Sequence, residues 1–283
     1  MYPAPFEYYR AETAQEATEL LSKHTGAKIL AGGHSLVPAM KYRVAAPSAL
    51  VDIGRLSLNY ITAADSVLTI GALSTHATVA SSDVVKHNCA IIAQGAAGIG
   101  DQMVRNRGTI GGSLAHSDPQ ADYPTLVKCV GATIKTSSGK SYNADTFFKD
   151  MLTTALEEND IITEITMPVY GSGTGGYYYK IPHPASGYAV AGAAALVTVE
   201  AGICKRVSLV VGGATVNPVH AVEAEAYLVG KAPTSENIKA AAAMVAQVIK
   251  NPMGDGYASG AYRTHLAGVA SERALVEAVH RAA

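Results

Sequence analysis

Residues 29–35 read ILAGGHS and residues 109–113 read TIGGS. Each runs from apolar residues into a glycine pair and out through a serine. The first has the surroundings of an anion site. AKILA (27–31) reads as a buried strand delivering the chain to Gly32 and Gly33, where positive φ and close backbone approach are allowed. Ser35 reads as the N-cap of a helix in SLVPAMKYR (35–43), with Pro38 tolerated in its first turn. N–H groups at such a helix start lack partners and point outward, as a phosphate site needs. A plain β-α turn uses the same residues, so this stretch alone leaves both readings open. TIGGS repeats the logic, with two bare positions between the hydroxyls of Thr109 and Ser113. Arg105 and Arg107 could help a diphosphate or lie in solvent, and Asp118 and Asp122 could orient sugar hydroxyls or cap a helix. Together the two motifs read as two walls of one diphosphate cradle.

Outward from these motifs, Thr13 and Glu16 fit a capping box. An apolar stripe of Ala17, Leu20 and Leu21 follows, and Gly26 is a helix stop. With ALVDIG (49–54) as a strand, the opening reads β-α-β-α-β. Residues 59–73 carry two short strand patterns and 74–100 read as helix in pieces. A short helix is expected over 123–130, a hairpin around Ser138-Gly139, and a strand over 161–168 that stops at a proline. Pro168–Gly176 reads as a linker. Beyond it come YYYKI and two long strand patterns around Ala201-Gly202. Helices are expected at 218–229 and 234–249, with a last amphipathic one through YRTHLAGVASERALVEAVHR. Residues 174–283 thus read as a three-stranded sheet covered by helices.

A chain of 283 residues exceeds the usual single core and favours more than one domain. It is 48% hydrophobic and only 16% charged, which suggests surface covered by a partner or a cofactor. With 22 basic against 23 acidic residues it offers no footprint for nucleic acid or an anionic membrane. Cys89, Cys129 and Cys204 are too dispersed for an iron–sulfur or zinc site and suit a reducing cytoplasm. MYPAPFEYYR has no signal-peptide pattern, and the longest uncharged run, Ile181–Val199, is too polar at its start to span a bilayer.

A dinucleotide fingerprint occurs at Gly171–Gly176, but a strand pattern follows where that mechanism needs a helix, so it reads as linker. No serine sits in a nucleophile elbow, and the nine histidines show no metal-ligand spacing. No catalytic or metal-ligating residue is therefore expected in this chain. His34 and His116 adjoin the glycine turns and could touch a ligand or be structural. Tyr177–Tyr179 reads as sheet packing.

AGGHSLVPAMKYR, ALVDIG, RNRGTIGGSLAHSDPQADYP and YRTHLAGVASERAL together resemble the FAD-binding medium subunit of molybdenum hydroxylases of the carbon monoxide dehydrogenase type, collinearly over essentially the whole chain. The resemblance implies an α+β fold. Two α/β subdomains of the vanillyl-alcohol-oxidase and MurB-like kind, over 1–57 and 58–170, would grip FAD. A C-terminal domain of a small antiparallel sheet with helices would span 174–283. It places Ile29, Leu30, Ala31, Gly32, Gly33, His34 and Ser35, with Thr109, Gly111, Gly112 and Ser113, at the FAD diphosphate. It puts Asp122 at the ribityl or ribose, Ile162 and Lys180 beside the flavin ring, and Tyr188 over the isoalloxazine. The implied partners are a large subunit with a molybdenum–pterin cofactor and a small subunit with two [2Fe–2S] clusters, arranged as a dimer of heterotrimers in the cytoplasm. Electrons would pass from the clusters through FAD to NAD, a quinone or oxygen. PHPAS (182–186) is less basic than the carbon monoxide enzymes lead one to expect, which leaves the substrate open, and the chain lacks a cysteine-bearing insert for a further cluster. The competing readings are a stand-alone FAD-dependent reductase or oxidase of the MurB-like fold, and a nucleotide-binding assembly module without redox work.

Overall fold

The computed structural model describes residues 2–283. The chain opens with β1 (Glu7–Arg10), α1 (Ala14–Lys23), β2 (Lys28–Leu30), α2 (Leu36–Lys41) and β3 (Ala49–Asp52). The strands form a parallel sheet in the order β1-β3-β2, joined by helical crossovers as parallel pairing requires. Helix α1 starts where the Thr13 hydroxyl accepts the Glu16 N–H, while the Glu16 carboxylate accepts the N–H of Glu12. Ala17 and Leu21 then pack with Val51 and Ile53. One expectation fails here: the AKILA strand is only half-buried. β2 lies at the sheet edge, and its apolar residues border a cleft instead of a core.

Next come β4 (Ile61–Ala64), β5 (Val67–Gly71), α3 (His76–Ser81), α4 (Asp83–Asn88), α5 (Ala90–Ala97), α6 (Gln102–Arg105), α7 (Ile110–His116) and α8 (Asp122–Cys129). After them run β6 (Thr133–Thr136), β7 (Ser141–Asn143), α9 (Ala144–Phe147), β8 (Phe148–Asp150), β9 (Thr153–Thr154) and β10 (Ile162–Pro168). Five of these strands make an antiparallel sheet in the order β4-β5-β10-β6-β7, and β8 and β9 form a separate ribbon.

The rest is β11 (Thr174–Pro182), β12 (Ala189–Glu200), β13 (Ile203–Gly212), β14 (Val219–His220), α10 (Val222–Leu228), α11 (Ser235–Met244) and α12 (Gly260–Ala282). This sheet has four strands in sequential order, not the three expected: Val219 and His220, read as the start of a helix, pair with Val211 and Val210. The linker is also shorter than its composition suggests. Thr174, Gly175 and Gly176 already belong to β11, and a side chain on Gly175 would strike the backbone of α12 at Ala278 and Ala282. Those glycines serve close packing rather than flexibility.

β12 reads as unbroken apolar residues because both faces are covered. Ala194 and Leu196 pack with α5 and α8 in one core, while Ala191, Ala193, Ala195 and Val197 pack with α10, α11 and α12 in another. Ala267, Ala270, Ala274 and Ala278 keep the contact face of α12 low, so helix and sheet approach closely. A fixed charge reinforces the join. His220 Nδ1 lies 2.7 Å from Glu225 Oε1, and its Nε2 lies 3.0 Å from Asp145 Oδ1 on α9. Burial opposes the imidazolium, but the two carboxylates outweigh it and raise the His220 pKa.

A histidine with a raised folded-state pKa stabilises fully below its unfolded value, and that stabilisation is lost as pH rises through the folded value. His220→Gln should therefore cost roughly 1–2 kcal/mol at pH 6 and progressively less toward pH 9. Urea unfolding of both proteins across that range measures the difference.

Candidate functional site

A cleft of about 900 Å³ runs between the first sheet, helices α6 to α8 with the β8–β9 ribbon, and the loop ahead of β12, at the upper end of the roughly 300–1,000 Å³ usual for small-molecule sites. β2 contributes Ile29, the turn between β2 and α2 contributes Ala31–Ser35, α7 and its N-cap contribute Thr109, Gly112 and Ser113, and Asp122 and Tyr188 complete the set. Eleven of the residues expected at a cofactor thus meet at one place, although the two glycine motifs are far apart in sequence.

The contact between the motifs is backbone on backbone. A side chain on Gly32 would collide with the carbonyl of Arg107 and reach within 2.9 Å of Gly108 Cα. Gly33 has φ of 76°, in the left-handed region that glycine tolerates. Among the described residues, the N–H groups of Gly32, Gly33, His34 and Ser35 have no acceptor in the protein. Ser35 has helical φ and ψ and its hydroxyl makes no cap, contrary to the N-cap expectation; the hydroxyl faces the Tyr188 phenol instead. Four successive free amides opening a helix make an anion nest.

Four of the five N–H groups of TIGGS are spent within the protein: Ile110 donates to Ser74 O, Gly111 to Ala72 O, Gly112 to Thr109 Oγ1 and Ser113 to Thr109 O. The motif lines the cleft with Gly112 between the side chains of Thr109 and Ser113, while the run of free amides comes from the first motif. Arg105 is likewise committed, with Nη1 donating to Ile99 O and Gly100 O at 2.9 Å each.

Leu30, Gly111, Ile162 and Lys180 stand outside the cleft lining. Leu30 alternates to the opposite face from Ile29 and Ala31. Gly111 packs against Ala72 and fixes α7 on the end of β5. Ile162 is buried at the start of β10, opposite Thr136 of β6, but Glu157–Asp160 just before it line the cleft. Asp160 anchors that segment. Burial pushes its carboxyl up, but the hydroxyls of Ser138, Thr136 and Ser137 and the Ile161 N–H bring it down to about 2.

Lys180 stands behind Asp122. Its Nζ donates to Asp122 Oδ2 at 2.9 Å, Gly187 O at 2.9 Å and Gly98 O at 2.7 Å, while Tyr178 Oη donates to Asp122 Oδ1 at 2.7 Å. Burial pushes the Asp122 carboxyl up, opposed by the ammonium and the phenol. Both partners are almost fully buried, at 11% and 5% side-chain exposure, so the pair is strongly coupled. The ammonium ties the loop carrying Tyr188 to α5 and α8. Tyr188 itself is 37% exposed at the cleft, its phenol pushed up by burial and the Asp118 carboxylate.

The sequence reading passed over His76, Gly100, Ser186 and the 152–160 segment, all of which line the cleft. Thr75 before His76 is a legible N-cap, but nothing in the sequence marks that helix start as facing a ligand. Among the described residues no cluster could hold a metal ion, and no helix is long and apolar enough to cross a membrane.

Two family models match the chain: the FAD binding domain in molybdopterin dehydrogenase over residues 4–170, and the CO dehydrogenase flavoprotein C-terminal domain over 176–278. The carbon monoxide dehydrogenase medium chain of Hydrogenophaga pseudoflava is 36% identical, with 100% of both chains covered. The glyceraldehyde dehydrogenase medium chain of Sulfolobus acidocaldarius is 35% identical over 98% of this chain and 99% of that one. Carbon monoxide dehydrogenase from Hydrogenophaga pseudoflava superposes with a TM-score of 0.96 at 37% identity, covering 100% of both chains. Quinoline 2-oxidoreductase from Pseudomonas putida gives 0.94 at 30% identity, covering 100% of this chain and 99% of that one. The chain belongs to the family of FAD-binding medium subunits of carbon monoxide dehydrogenase-type molybdenum hydroxylases, and is an oxidoreductase subunit.

Removing one partner of the buried pair leaves the other uncompensated. Lys180→Met should cost about 3–5 kcal/mol, and loosen the 183–188 loop, seen as faster amide exchange there. An undiminished melting temperature would contradict the clamp.

Proposed function

We propose that this chain binds FAD in the cleft and serves as the electron-transfer subunit of a molybdenum-dependent dehydrogenase, passing electrons from [2Fe–2S] clusters of a small subunit to an external acceptor. The observation that carries this reading is the run of four free amides at Gly32–Ser35, facing a wall at TIGGS where Gly112 leaves room, within a family defined by FAD binding. Those amides fit a diphosphate: they donate hydrogen bonds, they open a helix, and the glycines let them approach it closely. Ile29 and Ala31 supply apolar surface beside them, with Thr109 and Ser113 on the facing wall. Tyr188 would cover the ring system, Asp122 would face the sugar-like chain, and Lys180 would act from behind Asp122. The backbone just before Ile162 would line the far wall.

Bound FAD supplies a carrier that accepts electrons singly and releases them in pairs; the protein supplies binding, orientation and electrostatics. The lack of a candidate nucleophile or metal ligand in the sequence agrees with substrate oxidation at a molybdenum–pterin cofactor in a separate large subunit. Relatives named medium chains support partner subunits; we extend this to a dimer of heterotrimers in the cytoplasm.

Purified protein should be yellow, with one releasable FAD per chain, and folded protein that refuses FAD would contradict the reading. Co-expressed large and small chains should reduce the flavin when substrate is added, whereas turnover by this chain alone would favour a stand-alone reductase or oxidase. Gly32→Ala should push the two walls apart and lower FAD affinity at least tenfold, a loss of about 1.4 kcal/mol or more, measured by fluorescence quenching on titration.

A further inference from the structure

His76 begins α3 directly behind the cradle, and the function above does not use it. Its side chain lines the cleft yet the residue is only 5% exposed. Nε2 lies 2.5 Å from where a side chain on Gly108 would begin, and Gly108 Cα lies 2.9 Å from where one on Gly32 would begin. One glycine therefore separates the imidazole from the free amides. The His76 N–H donates to Gly108 O at 2.9 Å, which holds the histidine in that place. On the other side its ring meets Tyr123, with centroids 5.3 Å apart. His76 Nδ1 and Tyr123 Oη are both buried with no hydrogen-bond partner among the described residues. Orphaned buried polar atoms are rare and call for an explanation.

The charged groups acting on the ring are His34, from the glycine turn, and Arg105, from α6; Tyr123 faces it from α8. Burial, then His34 and Arg105, pull the His76 pKa down to about 4, so in the protein alone the imidazole is neutral across the physiological range. A diphosphate on the amides of Gly32–Ser35 would place negative charge one glycine away. An opposite charge at short range in a buried setting favours the protonated form.

We infer that His76 is a charge-compensating residue for the bound diphosphate, taking up a proton from solvent as the anion enters the cradle. The inference rests on the proposed FAD site. By linkage, FAD affinity is highest at acid pH and falls as pH rises through the pKa of His76 in the complex. The orphaned Nδ1 supplies a place for the proton without breaking an existing hydrogen bond.

The test is calorimetric titration of FAD into flavin-stripped chain at several pH values, each in two buffers of different ionisation enthalpy, which counts protons directly. Wild type should take up protons near pH 5 to 6, and its affinity should fall roughly tenfold between pH 5 and pH 7.5. His76→Gln should abolish the uptake and flatten the profile, while His87→Gln, on α4 and outside the cleft, should keep both. Tight FAD binding without proton uptake in wild type overturns this inference and leaves the FAD site standing. So does an unchanged proton count in His76→Gln. A chain that refuses FAD removes both. The wild-type count decides the matter even if His76→Gln fails to fold.

Discussion

The site depends on a place where a side chain is forbidden. Backbone at Arg107 and Gly108 occupies the space in which a Cβ on Gly32 would sit. The segment leaving β2 and the loop between α6 and α7 therefore meet at main-chain distance, which no pair of residues with side chains achieves. On the other side of that contact, Gly32 and the next three residues line the cleft, and their amides have no protein acceptor. Unsatisfied donors are costly when buried, so the arrangement is stable at the mouth of an open cleft and most stable with an anion present.

A second interaction fixes where the cleft ends. The ammonium of Lys180 has three donors and uses them on Asp122, Gly98 and Gly187, one from each of three segments. A planar guanidinium would not satisfy acceptors spread in this way. The loop bearing Tyr188 is thereby held without being part of a sheet, and Tyr188 keeps partial exposure at the cleft. The buried pair specifies a geometry more than it stabilises the chain, since two desolvated charges barely recover their hydration cost.

Legibility in the sequence followed the range of the interaction. The first crossovers, the α1 cap and the hairpin at Gly139 are set by neighbours within a few residues, and all are present. ILAGGHS is ambiguous alone because a β-α turn and an anion nest share one local geometry; that its amides lack protein acceptors and that Gly32 abuts Gly108 are properties of the folded chain. In TIGGS the amides of Ile110–Ser113 are consumed by Ser74, Ala72 and Thr109, partners that its sequence does not display. β14 escaped because two residues carry no period, and their strand character comes wholly from the edge of β13. Gly175 resembled linker for the same reason: only α12, a hundred residues on, shows why it is bare.

Composition carried a further lesson. Few charges and many apolar residues suggested a surface hidden by a partner or cofactor. Much of that excess has an internal cause. β12 and β13 are covered on both faces, and α12 meets them through a row of alanines, so a long alanine- and valine-rich segment is consumed inside the third sheet's own packing. A sheet buried on both sides needs no polar residues at alternate positions, and small side chains let the covering helices lie close. The thin charge count is thus a signature of a three-layer arrangement first. The case for partner subunits rests instead on the family, whose members are named as medium chains.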